Sequence, residues 1–139
     1  MLMYEKYPIV LATAAFILDT DGRILIVKKS EEEQIDPGLW VVPGGKVLPH
    51  EPIIVSLKRE VKEEVGLEIA TYKWIGEDVF TASERYFHAQ HFLCSVVTTT
   101  PIVLESKLTA FAWIQFSEIG DYHFPTNLRN RIVQIYQTK

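Results

Sequence analysis

The densest chemistry in the chain lies between Gly45 and Leu67, where Glu51, Arg59, Glu60, Glu63 and Glu64 stand among aliphatic residues. The stretch opens on a glycine pair, Gly44-Gly45, and closes on a lone glycine, Gly66. With Pro52 to Val65 helical, positions three and four apart share a face. Glu60, Glu63 and Glu64 then project from one surface, while Ile54, Leu57, Val61 and Val65 form an apolar stripe. At roughly 100° per residue, the acidic group centres about a quarter turn or a little more from the stripe, at the edge of the buried face. Carboxylates at this spacing repel one another, and Lys58, Arg59 and Lys62 supply part of the counter-charge. Gathered oxygens beside a backbone turn are also what a hard divalent cation such as Mg²⁺ takes as ligands. On its own, Glu-x-x-Glu-Glu reads as a solvated charged helix. The wider pattern overturns that reading.

From the second glycine of the pair the chain runs five residues to Glu51 and seven more to Arg59-Glu60; Val61, Lys62, Glu63-Glu64, Val65, Gly66 and Leu67 follow. In this spacing residues 45–67 resemble the signature box of the Nudix hydrolase family at every defining position. The resemblance implies a metal-dependent, MutT-like enzyme that hydrolyses the pyrophosphate link of a nucleoside diphosphate joined to another moiety. It implies Mg²⁺ as cofactor, with Mn²⁺ as the alternative ion, and a small-molecule nucleotide as partner. By matched position, Glu60 and Glu64 would be the principal metal ligands, Glu63 a further ligand and the Gly44 carbonyl a backbone ligand. Arg59 would orient its neighbours by paired hydrogen bonds, with Glu51 or Glu60. Glu51, Arg59, Glu60 and Glu64 thus form the expected catalytic set. Family members differ in which carboxylate takes the proton, so Glu84 and Glu105 stand as candidates outside the box, against a plainer role as exposed loop acids. Two departures are visible: His50 where the family commonly has glycine, and the bulky Ile53-Ile54-Val55 where smaller residues are usual. Neither removes a charged group the chemistry needs.

Substrate signals are thinner. Arg23, Lys28 and Lys29 lie on or beside the strand before the glycine pair, and Lys29 is expected to contact phosphate. Gly45, lacking a side chain, lets a ligand approach the backbone. Phe124-Pro125-Thr126-Asn127 resembles the base-contacting segment of MutT, which makes Asn127 a substrate-binding candidate; a helix cap explains it equally well. Trp113 resembles the tryptophan of the MutT-like strand. Trp40, Phe80 and Tyr86 could stack on a base or fill the core. The proline of ADP-ribose hydrolases is absent, Ala82 and Ser83 standing there, and no coenzyme A or NADH signature appears. The leading expectation is a nucleoside triphosphate, then a nucleotide sugar or another diphosphate derivative, then a nucleotide-sensing module without catalysis.

The resemblance implies an α/β protein, a Nudix-type α/β/α sandwich with a mixed β-sheet between helices, and alternating strands with two helices are consistent with it. Periodicity alone leaves several α+β folds open. Ile9 to Leu18 and Arg23 to Lys28 read as strands joined by the turn Asp19–Gly22 into a hairpin. Leu39 to Val42 reads as a short strand delivering the glycine pair. Glu68 to Ile75 and Tyr86 to Val97 read as strands around a loop, Gly76 to Arg85. Ala110 to Gln115 is another strand, and Thr126 to Tyr136 a helix capped by Thr126 or Asn127. The 139 residues are expected to form a single domain, 1–139, with an ordinary globular composition of 47% hydrophobic and 23% charged residues. A formal charge of -4 speaks against a nucleic-acid partner. Met1 to Pro8 carries no leader pattern, and Ile9 to Leu18 is too short to span a bilayer, so no membrane partner is expected. The lone Cys94, in an apolar run, reads as a core residue compatible with a cytoplasmic location. Oligomeric state is left open, a homodimer included.

Overall fold

The computed structural model describes residues 8–138; the reading of Met1 to Tyr7 as lacking a leader lies outside them. The element order is β1 (Ile9–Ile17), β2 (Ile24–Lys29), β3 (Trp40–Val41), β4 (Gly44–Lys46), α1 (Ile53–Val65), β5 (Ile69–Ala82), β6 (Arg85–Val96), β7 (Leu108–Ile114), a 3-10 helix (Phe116–Asp121) and α2 (Thr126–Gln137). The strands form two sheets, β4-β1-β6-β5 and β3-β2-β7. The first is mixed, because β1 runs parallel to β6 while β4 and β5 pair antiparallel with their neighbours. The second is antiparallel throughout.

Two apolar clusters follow from strand alternation. Ala15, Ile17, Leu25 and Val27 face Leu57, Val61 and Val65 of α1. The intervening Phe16, Ile24 and Ile26 face Ile132 and Ile135 of α2. Both sheets are therefore covered by α1 on one side and α2 on the other, an α/β/α sandwich with a mixed sheet between helices. Leu57, Val61 and Val65 lose all contact with water, and each such burial is worth about 1.5–3 kcal/mol. That seam fixes the rotation of α1 and therefore where its acids point. Pro52 is the N-cap of α1, one position earlier than sequence places it, and Gly66, at φ 77°, closes the helix with its N–H on the Lys62 carbonyl.

Three local readings are corrected. β1 and β2 are not a hairpin: they meet only at the bridge Leu18↔Ile24, and each then pairs into a different sheet. The Asp19 carboxylate accepts the Asp21 and Arg23 N–H groups and so shapes the turn, but a turn signal cannot say whether the strands beyond it stay together. The supposed loop Gly76–Arg85 is strand. β5 and β6 continue through it to a turn at Ser83-Glu84, whose φ values of 49° and 57° are those of a two-residue hairpin. Neither Thr126 nor Asn127 caps α2; its N-cap is Pro125, with no side-chain cap bond. Cys94 is buried, as its apolar setting suggested.

Candidate active site

The glycine pair is not a free loop but the short edge strand β4, with Gly44 opposite Ala14 and Gly45 opposite Thr13. Both positions exclude a side chain. A Cβ on Gly44 would run into the Thr13 carbonyl oxygen, and one on Gly45 would stand 2.5 Å from the Glu60 carboxylate. The glycines thus let α1 press its acids against the edge of the sheet. Glu60 and Glu64, one helical turn apart, are 7% and 4% exposed.

Those two carboxylates occupy different electrostatic settings. The Gly44 N–H donates to Glu64 Oε1 at 2.6 Å, and Lys107 Nζ lies 3.7 Å from Glu64 Oε2. Burial outweighs both and pushes the Glu64 carboxyl up to about 7. Burial also raises the Glu60 carboxyl, against the pull of the adjacent Arg59. Arg59 is the hub of the acidic face. Its Nε and Nη2 donate to the two Glu51 oxygens at 2.7 and 2.9 Å, and its Nη1 to Glu60 at 3.0 Å and Glu63 at 3.1 Å. This fork holds the Glu51 carboxyl down at about 2 and keeps Arg59 charged throughout the working range. Glu51 Oε1 also accepts the Leu48 N–H, tying down the segment that enters α1.

A cleft of about 790 Å³ opens beside this face. Lys29, Gly44, Gly45, Glu60, Glu64 and Asn127 all border it. Glu51, Arg59 and Glu63 do not; Glu63 is 53% exposed and turned toward Arg59. Glu84 is exposed on the hairpin turn and does not border the cleft, although its neighbours Ser83 and Arg85 do; the Glu105 N–H donates to the Glu64 carbonyl and its side chain stands 3.8 Å from Lys107. Asn127 Nδ2 donates to both Asp78 oxygens at 3.1 Å. Phe80 lies flat against Phe87 at the cleft wall, their rings 5.0 Å apart, while Trp40 packs edge-on to Tyr122 in the α2 cluster. Trp113 packs in the α1 cluster. Lys29 is partly buried, which lowers its ammonium pKa. Among the described residues no three His, Cys, Asp or Glu side chains are gathered closely enough to hold a metal as they stand. The donor set nonetheless suits a hard cation: two buried carboxylates, one of them raised to about 7 by burial.

Three cleft residues escaped the sequence: Lys107, Asp78 and His91. Lys107 has no local signal, since its place depends on the segment before β7 folding back on α1, where the Val103 and Glu105 N–H groups donate to the Val65 and Glu64 carbonyls. Burial opposes its charge, yet Glu64 and Glu105 raise its pKa overall. His91 did have a signal. It is the polar member of the inward-facing series Phe87, Ala89, His91.

Two helices flanking paired sheets, with a buried acid pair bordering a cleft of about 790 Å³, define an α/β/α sandwich with a candidate cation site at its glycine edge. The NUDIX domain model matches residues 8–138, and the chain belongs to the Nudix hydrolase family. It is 29% identical over 117 residues to the nucleoside triphosphatase NudI of Escherichia fergusonii, covering 76% of this chain and 82% of that one. It is also 28% identical over 115 residues to an isopentenyl-diphosphate Delta-isomerase of Kocuria rhizophila, covering 78% of this chain and 64% of the relative. The fold is similar to that of the MutT protein from Methanosarcina mazei Go1, with a TM-score of 0.83 and 26% identity over 96% of each chain. No helix among the described residues is long and apolar enough to cross a membrane.

Proposed function

We propose that the chain, acting as a single domain, hydrolyses the pyrophosphate linkage of a nucleoside triphosphate with Mg²⁺, Mn²⁺ serving in its place. The observation that carries this reading is the buried pair Glu60 and Glu64 at the glycine edge of the cleft, where burial raises both carboxyls despite Arg59 beside Glu60 and Lys107 beside Glu64. Glu60, Glu64 and the Gly44 carbonyl would hold the cation, with Glu63 as a further ligand reached by turning away from Arg59. When bound, the metal offsets phosphate charge and acidifies water. The protein's own groups do the rest. Arg59, locked on Glu51, holds Glu60 in place. Glu64, whose carboxyl burial raises to about 7 in the metal-free protein, would be held ionised once the cation binds. Lys29 and Lys107 offer ammonium groups to the phosphates, Gly45 lets them approach the backbone, and Asn127 with Asp78 meets the nucleoside at the far end.

The NudI relative is named for nucleoside triphosphates, which supports that substrate class first. A second reading, a nucleotide sugar or another diphosphate derivative, is favoured by the acidic side chains Glu32, Glu33 and Asp36 along the same cleft, a setting suited to hydroxyl-rich leaving groups. A sensor without catalysis is disfavoured because every box carboxylate is retained. The working environment would be the cytoplasm, without nucleic-acid or membrane partners, and a homodimer is compatible with the exposed edge strand β5. The test is a panel of nucleoside triphosphates, nucleotide sugars and dinucleotides, with and without Mg²⁺, scored for phosphate and pyrophosphate. Metal-dependent turnover of a nucleoside triphosphate is expected; inert protein across the panel would refute the proposal.

A further inference from the structure

His91 is 2% exposed, yet it borders the cleft. Its ring lies 5.0 Å from that of Phe16, and its Nδ1 accepts a hydrogen bond from Arg131 Nε at 3.0 Å. A guanidinium only donates, so Nδ1 must present a lone pair and the single ring proton must reside on Nε2. Burial, with Arg131 adding to it, pushes the imidazole down to about 4, so the ring is neutral at working pH. Among the described residues Nε2 makes no hydrogen bond of its own. Nε2 is not one of the fully buried atoms left without a partner, which among the described residues are Thr13 Oγ1 and Ser56 Oγ, so the ring's residual exposure leaves that N–H available to the cleft.

The clamp behind the ring is elaborate for a mere packing contact. Arg131 Nη1 donates to the Ile75 carbonyl at 3.2 Å and to Gln134 Oε1 at 2.5 Å. A Cβ at position 76 would lie 2.6 Å from Arg131 Nη2, and Gly76, at φ 139°, sits where β5 shifts register. Across the mixed sheet, Gly44, Ala14, His91 and Gly76 are successive register partners on β4, β1, β6 and β5. His91 therefore stands two strand spacings, about 10 Å, from the glycine edge. The floor between consists of small residues, Ala12, Ala14 and Ala89. A ligand whose phosphates lie at Glu60 and Glu64 extends its base over that floor.

We propose that His91 is a specificity-determining residue: its Nε2–H, fixed by Arg131, donates to a keto oxygen on the base edge and selects 6-keto purine and 4-keto pyrimidine nucleotides over their amino counterparts. The inference rests on the nucleotide reading of the cleft. An amino group at that position would meet the fixed donor with another donor, and the discrimination corresponds to about tenfold for a neutral hydrogen bond.

Two measurements decide it. In the ¹⁵N-labelled full chain without metal, two-bond ¹H–¹⁵N spectra at neutral pH should show His91 neutral with its proton on Nε2. GMP and UMP should move that resonance, while AMP and CMP should not. With Mg²⁺, the GTP/ATP and UTP/CTP ratios of kcat/KM should each be about ten. His91→Phe should collapse both through a higher KM for the keto substrates, and His91→Gln, which keeps an N–H donor, should restore part of the preference. A proton on Nδ1, a doubly protonated ring, an equal response to all four monophosphates or a response to none would overturn the proposal. So would preserved ratios in His91→Phe. If no triphosphate is cleaved, the hydrolase reading fails, and the nitrogen spectra still decide the role of His91.

Discussion

Glu64→Gln separates the stability of the acidic site from its use. Burial raises the Glu64 carboxyl from 4.5 to about 7, so the folded protein holds that proton more tightly than the unfolded chain does. The sign follows from proton linkage: stability falls as pH rises from about 4.5 and levels off above about 7. The span corresponds to roughly 3 kcal/mol at about 1.4 kcal/mol per pH unit. Glutamine keeps an acceptor for the Gly44 N–H but gives up the ion pair between the buried Glu64 and the partly exposed Lys107, a 3.7 Å contact worth about 1 kcal/mol. In metal-free protein at pH 8 the variant should therefore be more stable by about 2 kcal/mol, with Tm higher by roughly 4–10 °C. Thermal unfolding at pH 5 and pH 8, with EDTA and with saturating Mg²⁺, is the assay. The stability difference should shrink at pH 5. Mg²⁺ should raise the wild-type Tm by mass action, with far less effect on the variant. Turnover in the variant should fall by at least two orders of magnitude. A Gln variant that is less stable at pH 8 without metal, or that keeps near-full Mg²⁺-dependent activity, would refute the reasoning.

Other substitutions test neighbouring parts of the site. Arg59→Lys keeps the charge but loses the fork that grips both Glu51 oxygens; kcat/KM should fall by about 10–100-fold, the range for groups that orient metal ligands. Activity equal to wild type would show that the fork is dispensable. Gly45→Ala drives a methyl to 2.5 Å from the Glu60 carboxylate, so Mg²⁺ titration should show weakened binding, with kcat lowered in a protein that still folds. His50 adopts φ 64°, a left-handed conformation that costs a residue with a side chain roughly 1–2 kcal/mol. His50→Gly should gain about 0.5–1 kcal/mol in urea unfolding, part of the relief being offset by the greater freedom of the unfolded chain, without change in KM.

Much of the site was legible because it lies within one helix and one turn. The apolar stripe on α1 dictated which acids border the core, and the flanking Pro52 and Gly66 set the ends of the helix to within one residue. The substitution of His50 for a usual glycine, unexplained in sequence, coincides with a positive φ, the backbone requirement glycine ordinarily meets. What resisted reading was pairing between distant segments. Nothing near Asp19–Gly22 says that β1 and β2 enter different sheets, and nothing near Gly76 says that β5 runs on to Ala82. Charged residues at 77, 78, 84 and 85 looked like a loop because a hairpin wet on one face carries polar residues in its strands. Lys107 reaches the cleft, and Arg131 reaches His91, only through such long-range packing. The spread of Glu63 away from the cleft also had no sequence signal, since helical spacing alone puts it beside Glu60 and Glu64, and only Arg59 draws it outward.

The central claim is that Glu60 and Glu64 form a divalent-cation site at the glycine edge of the cleft. Anomalous scattering from crystals of the full chain soaked in Mn²⁺ tests it most directly. A manganese peak touching both carboxylates, absent from Glu60→Gln/Glu64→Gln crystals, is the predicted result. Manganese bound elsewhere, or no peak at saturating Mn²⁺, would contradict the account.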